Sequence, residues 1–167
     1  SIADIEISGV VVHSARINSR RVSKIFYSGD DYLILSMLSS PLTINKDYST
    51  IEKEPLSFKM APRDTSEYKP DILPDTSDVE PVNYIFEMEN GIKICIYQSE
   101  STTFAEKKSR FYLDLGDRLR NAWNSFKSVA MFRIPEYHPR IKLRLNKADA
   151  KIIYRALPLK GQVAVHR

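Results

Sequence analysis

A chain of 167 residues and 19.2 kDa, with 43% hydrophobic and 28% charged side chains, is long enough for one domain with a core and short for two. Those proportions disfavour bulk disorder, collagen-like repeats and disulfide scaffolds; Cys95 is the only cysteine, so no intramolecular disulfide forms and a reducing, cytoplasmic setting is expected. The net charge of +4 hides a polarity along the chain. Residues 1–44 carry four basic and four acidic side chains, residues 45–100 six and twelve, and residues 101–167 fifteen and five. The basic end suits an anionic partner, unless the acidic middle folds against it. Apolar stretches such as Tyr32 to Leu35 fall far below the roughly 20 residues of a membrane helix, and no basic-then-apolar leader pattern opens the chain, so no membrane partner is expected.

The first hundred residues read as strands and turns. Ile5 and Ile7 alternate with polar residues, Gly9 interrupts, and Val10 to Val12 follow, which predicts one strand bent or bulged at the glycine with its second half buried. Turns at Asn18–Ser19 and at 28–31 separate strands expected over 22–27 and 32–38, and Leu56, Phe58 and Met60 alternate in a fourth. Residues 62–81 hold Pro62, Pro70, Pro74 and Pro81 with six acidic side chains and read as a loop, in the first place a solvated connector and otherwise a partner-binding loop. Val82 to Glu89 and Ile92 to Tyr97 flank Asn90–Gly91, a pair that supplies the positive φ angles of a two-residue hairpin turn. Thr103 and Glu106 have capping-box spacing. Phe104, Phe111, Tyr112, Leu115, Leu119, Trp123 and Phe126 then recur on one helical face, predicting a helix over 104–129 whose apolar side, Trp123 and Phe126 included, is core. Gly116 inside it marks close packing or a bend. Residues 131–134 could add a short strand, 140–145 alternate strictly, and Asn146 caps a second helix over 147–157 that Pro158 stops. The fold class is α+β: an N-terminal antiparallel sheet or partly closed barrel, one long helix packed on it, then a basic strand and a short helix, all in a single domain.

The basic strand and helix carry the functional signal. Arg140, Lys142 and Arg144 share one strand face, roughly 6.6 Å apart, with Ile141, Leu143 and Leu145 on the other. Lys147, Lys151 and Arg155 recur every four residues along the next helix, making a second row. Six cations in sixteen residues, offset only by Asp149, suit a sugar-phosphate backbone, and Arg133 and Tyr137 just upstream extend the candidate surface. Phe132, Tyr137 and Tyr154 could offer faces for unpaired bases. No helix-turn-helix precedes the second helix, so single-stranded DNA or RNA fits better than a duplex. Asp114 lies four residues from Arg110 and Arg118 and is expected to pair with them. Alternating cations on an edge strand also serve simply to block aggregation, and a Lys-rich helix face is often only solvated.

Chemistry on a substrate has little support. His13, His138 and His166 stand in no metal-ligand spacing, and five glycines form no phosphate-cradling loop, so no cofactor or metal is expected. His138 beside Arg140 could touch phosphate or serve as a base. Pro74–Asp75 followed by Glu106, Lys107 and Lys108 resembles the Pro-Asp and Glu-x-Lys pattern of metal-dependent nucleases, which implies carboxylates on Mg²⁺ and a lysine on the attacking water. In that family the Glu-x-Lys lies on a strand, whereas Glu106 here opens a helix. The expectation is therefore a non-enzymatic binder of single-stranded nucleic acid with little sequence preference, acting in replication, repair or transcription. The alternatives are a protein-interaction module or inhibitor that uses the acidic middle, and a Mg²⁺-dependent nuclease.

Overall fold

The computed structural model describes residues 1–23, 36–53, 80–100, 103–134 and 139–165. Their elements run β1 (Ile2–Ile7), β2 (Val10–Arg16), β3 (Ser19–Ser23), β4 (Leu42–Ser49), β5 (Asn83–Met88), β6 (Lys93–Gln98), α1 (Phe104–Ala130), β7 (Arg140–Leu145), α2 (Lys147–Ala156) and β8 (Gln162–Val163). The class is α+β, as the residue pattern requires. Expected strand segments over 24–27, 32–35 and 56–60, and the loop over 62–79, lie outside the described residues.

Gly9 turns the chain rather than bulging it. Ser8 and Gly9 both take positive φ, at 53° and 82°, the geometry of a two-residue turn whose twist matches the flanking strands. β1 and β2 therefore pair antiparallel as a separate two-stranded sheet. Ile5 and Ala15 are buried in the core and Ala3 packs against it; Val10, Val11 and Val12 are exposed, against the expectation of a buried segment.

The other six strands form one sheet in the order β3-β7-β6-β5-β4-β8. β5 and β6 make the anticipated hairpin, but only Gly91 of its turn has positive φ, and the Met88 N–H donates to the Ile92 carbonyl at 2.8 Å. The connection is thus a three-residue loop, Glu89 to Gly91, closed by glycine in the left-handed region. β4 and β8 were not foreseen, and Ser36–Leu38 is a helical turn where the pattern suggested strand. β7 lies parallel to β6, a pairing that needs a long crossover, and α1 is that crossover. The basic strand is consequently interior, between β6 and β3, and not an appended edge.

Because side chains alternate, the sheet offers two unlike faces. On one, Tyr84, Phe86, Met88, Ile94, Ile96 and Leu145 pack with Ala150, Ile153 and Tyr154 of α2, forming the main core. Tyr84, Phe86 and Tyr154 pack ring against ring at separations of 5.0 to 6.2 Å, and the Tyr84 hydroxyl donates to the Ala150 carbonyl at 3.0 Å. Asn146 caps α2, accepting from the Ala148 N–H at 3.1 Å, and Asp149 in its first turn meets His13 of β2 at 3.2 Å. On the opposite face, Ile85, Cys95 and Tyr97 form a small cluster with Leu113 of α1.

α1 spans 27 residues, one more than expected, and its N-terminus carries the predicted box: the Glu106 carboxylate accepts from the Thr103 N–H at 3.0 Å. Its orientation reverses the expectation. The single fully buried residue is Asp117, whereas Phe104, Phe111, Tyr112, Leu119, Trp123 and Phe126 are exposed. Residues 131–134 make no strand; Met131 ends the helix and Phe132 takes a φ of 56°.

Candidate nucleic-acid interface

The two cation rows lie on opposite sides of the sheet. Ile141 and Leu143 join the core under α2, which turns Arg140, Lys142 and Arg144 toward the α1 side. There the first two meet carboxylates. Arg140 reaches Asp117 at 2.6 Å and Lys142 reaches Asp114 at 3.5 Å, so the face that alternation assigns to solvent or ligand is instead largely covered. Arg144, farthest along, is exposed. Asp114 also accepts from the Tyr97 hydroxyl at 2.5 Å and binds Lys142 rather than the expected Arg110 and Arg118; Arg110 lies over the Tyr97 ring.

Asp117 is the hub of this interface. Its carboxylate, wholly buried, accepts from Lys93 Nζ at 2.6 Å and faces Arg140 at 2.6 Å and Arg120 at 3.8 Å. Lys93 Nζ donates also to Asn121 at 2.7 Å and lies 3.7 Å from Glu87. A buried charge is tolerated only when paired and hydrogen-bonded, and each member here has partners. Burial pushes the Cys95 thiol up to about 11, and burial, followed by the Cys95 and Asp114 charges, holds the Tyr97 hydroxyl far above its ordinary range. The cluster holds α1 to the sheet through polar contacts.

The α2 row is differently placed. Lys147, Lys151 and Arg155 line a groove of about 530 Å³ together with Asn146, Ala148, Ile152 and Glu100. They share this groove because Ala150, Ile153 and Tyr154 take the inward side of the helix. The carboxylate of Glu100, which also lines it, gives the groove mixed charge. Sequence reasoning missed two further cations: Arg20 and Arg21 of β3 are exposed on the strand beside β7, with Arg21 opposite Lys142 and Ser19 opposite Arg144. Their signal was the Arg-Arg pair itself, which carries no meaning until β3 is known to pair with β7.

Among the aromatics, Tyr154 is buried in the core, Phe132 is fully exposed, Arg133 beside it is exposed, and Tyr137 and His138 lie outside the described residues. Trp123 and Phe126, expected in the core, stack on each other at the surface with ring centroids 6.1 Å apart. Glu106 is engaged in the helix cap, and Asp75, the other half of the nuclease-like pattern, lies outside the described residues. Among the described residues no group of three His, Cys, Asp or Glu side chains stands close enough to hold a metal ion, and no helix is long and apolar enough to cross a membrane. Comparison with known proteins adds no further identity: no family model, no curated protein and no solved structure matches the chain.

Proposed function

We propose that the protein binds single-stranded nucleic acid with little sequence preference, through the α2 groove, and carries out no chemistry on it. The observation that supports this reading is the ordered row of Lys147, Lys151 and Arg155 along one groove, with exposed Arg20, paired with Leu143, on the same side of the sheet. Cations held at fixed intervals on rigid elements replace counterions along a phosphate chain without reading base edges. Arg140 and Lys142 contribute to this surface only indirectly, since their charges are spent on Asp117 and Asp114.

Fluorescence anisotropy of a labelled single strand of about 30 nucleotides, titrated at several salt concentrations, tests the reading. Three to four phosphate contacts give a log–log salt slope of roughly −2 to −3. Replacing Lys147 and Lys151 together by Gln should lower the slope magnitude by about 1.4 while leaving thermal unfolding unchanged. Competition by unlabelled duplex decides between single and double strands. No binding at low salt overturns the reading.

A further inference from the structure

The outward side of α1 is an apolar stripe broken only by Lys108. At about 100° per residue, Asp114, Asp117 and Asn121 fall on the side that meets the sheet, and the large apolar residues fall on the other. Phe104, Phe111, Tyr112, Trp123 and Phe126 are 58% to 81% exposed along a helix about 40 Å long. At roughly 200 Å² per aromatic side chain, these five alone leave about 700 Å² accessible, near the about 800 Å² that each partner contributes to a standard interface. A patch of that size on a monomer marks an interaction surface.

The stripe is complementary to itself. Counting outward from Asp117 in both directions, Leu115 corresponds to Leu119 and Phe111 to Trp123. Likewise Tyr112 shares its level with Ala122, Phe104 with Ala130 and Val129 with Ala105, so a bulky residue stands beside a small one at each of these levels. Alternation of large and small across facing positions is what lets two helices interdigitate. We propose that α1 pairs antiparallel with α1 of a second copy of this chain, about a two-fold axis at the level of Asp117. The contact is isologous and closes at two copies. It sets Lys108 beside Phe126 of the other copy, a favourable cation–aromatic pair, and leaves Lys107 and Lys127 at the solvated rim. This pairing is independent of nucleic-acid binding and is tested without it.

Sedimentation velocity over about 1 to 100 µM protein should give a species of twice 19.2 kDa, and the emission of Trp123, the only tryptophan, should shift to the blue as the dimer forms. Leu119→Glu, at an exposed position that cannot unsettle the core, should weaken association about 30-fold or more. Ala122→Trp, which fills the space beside Tyr112, should weaken it as well. A chain with both Leu115→Cys and Leu119→Cys should form a disulfide-linked dimer on mild oxidation while buried Cys95 stays silent, and Phe104→Cys alone should not. A 19.2 kDa monomer at every concentration overturns the proposal, and cross-linking by Phe104→Cys overturns the antiparallel arrangement. If the monomer's Trp123 emission responds instead to anionic vesicles or to a single-stranded oligonucleotide, the stripe belongs to lipid or to nucleic acid, and the dimer is equally overturned.

Discussion

The two faces of the six-stranded sheet are built from neighbouring residues on the same strands, yet they hold their helices by different forces. Under α2, Ile94, Ile96, Phe86 and Leu145 bury apolar surface, a non-directional attraction that tolerates small shifts. Under α1, the residues one position away, Lys93, Tyr97, Arg140 and Lys142, meet Asp117, Asn121 and Asp114 in hydrogen bonds and ion pairs of definite geometry. The apolar face supplies cohesion. The polar face supplies register: Asp117 satisfies Lys93 and Arg140 only at one rotation and one height of the helix, and that rotation turns the apolar stripe of α1 outward.

The difference can be broken most directly at Asp117. Asp117→Ala leaves Lys93 and Arg140 buried without their shared carboxylate and should cost roughly 3–5 kcal/mol in urea unfolding. Replacing Asp117, Lys93 and Arg140 together by Leu, Met and Met should recover most of that loss, because matched apolar groups need no desolvated charge. A triple variant as weak as Asp117→Ala would mean that the ionic face contributes cohesion as well as register.

Alkali should attack the polar face next. Cys95 and Tyr97 there, and Tyr84 and Tyr154 on the other side, are all held above their ordinary values, mainly by burial. Above about pH 9 the unfolded chain releases protons that the folded chain retains, so unfolding stability falls as pH rises through about 11, by on the order of 2–3 kcal/mol for Cys95 alone. Thermal melts from pH 8 to 11 check the sign. Cys95→Ser should flatten the first part of the decline.

Smaller changes sharpen the contrast. Ile96→Val, on the apolar face, should cost about 1 kcal/mol, a graded loss typical of a lost methylene rather than an orphaned charge. Gly116→Ala should stabilise the protein by about 1 kcal/mol, since an added Cβ meets nothing nearer than Arg120 Nη1 at 3.6 Å, an ordinary contact. Close packing or a bend at Gly116, the sequence-based expectation, would instead make that substitution unfavourable. Chemical denaturation of both variants settles the order.

Much of the local structure was legible. Thr103 with Glu106, Asn146 before an apolar period, and Asn90–Gly91 between two alternating runs each act within a few residues, and each delimits its element to within a residue or two. Where the glycine signal was read with the wrong turn, at Gly9 and at Gly91, the position was right and the loop type was not. The candidate site was less legible. The α2 row lines one groove as its spacing requires, but the β7 row faces away from it, and two of its three cations are bound by α1. The clue lay in Asp114, Asp117 and Asn121, three polar residues on one side of α1 matched to Lys93 of β6 and to Arg140 and Lys142 of β7; it has no force until β6 and β7 are known to pair in parallel.

Caps, turns, helix lengths and the α+β class were therefore determined by the sequence, because the interactions behind them span a few residues and recur wherever those residues do. Tertiary structure alone decided that β7 enters the sheet beside β6, that its charges are answered by α1, and that the apolar side of α1 faces out. Amphipathicity states that a helix has two sides. Which side turns inward depends on what the sheet presents, and here buried Lys93 and Arg140 required a carboxylate more than Ile85 and Cys95 required further apolar cover.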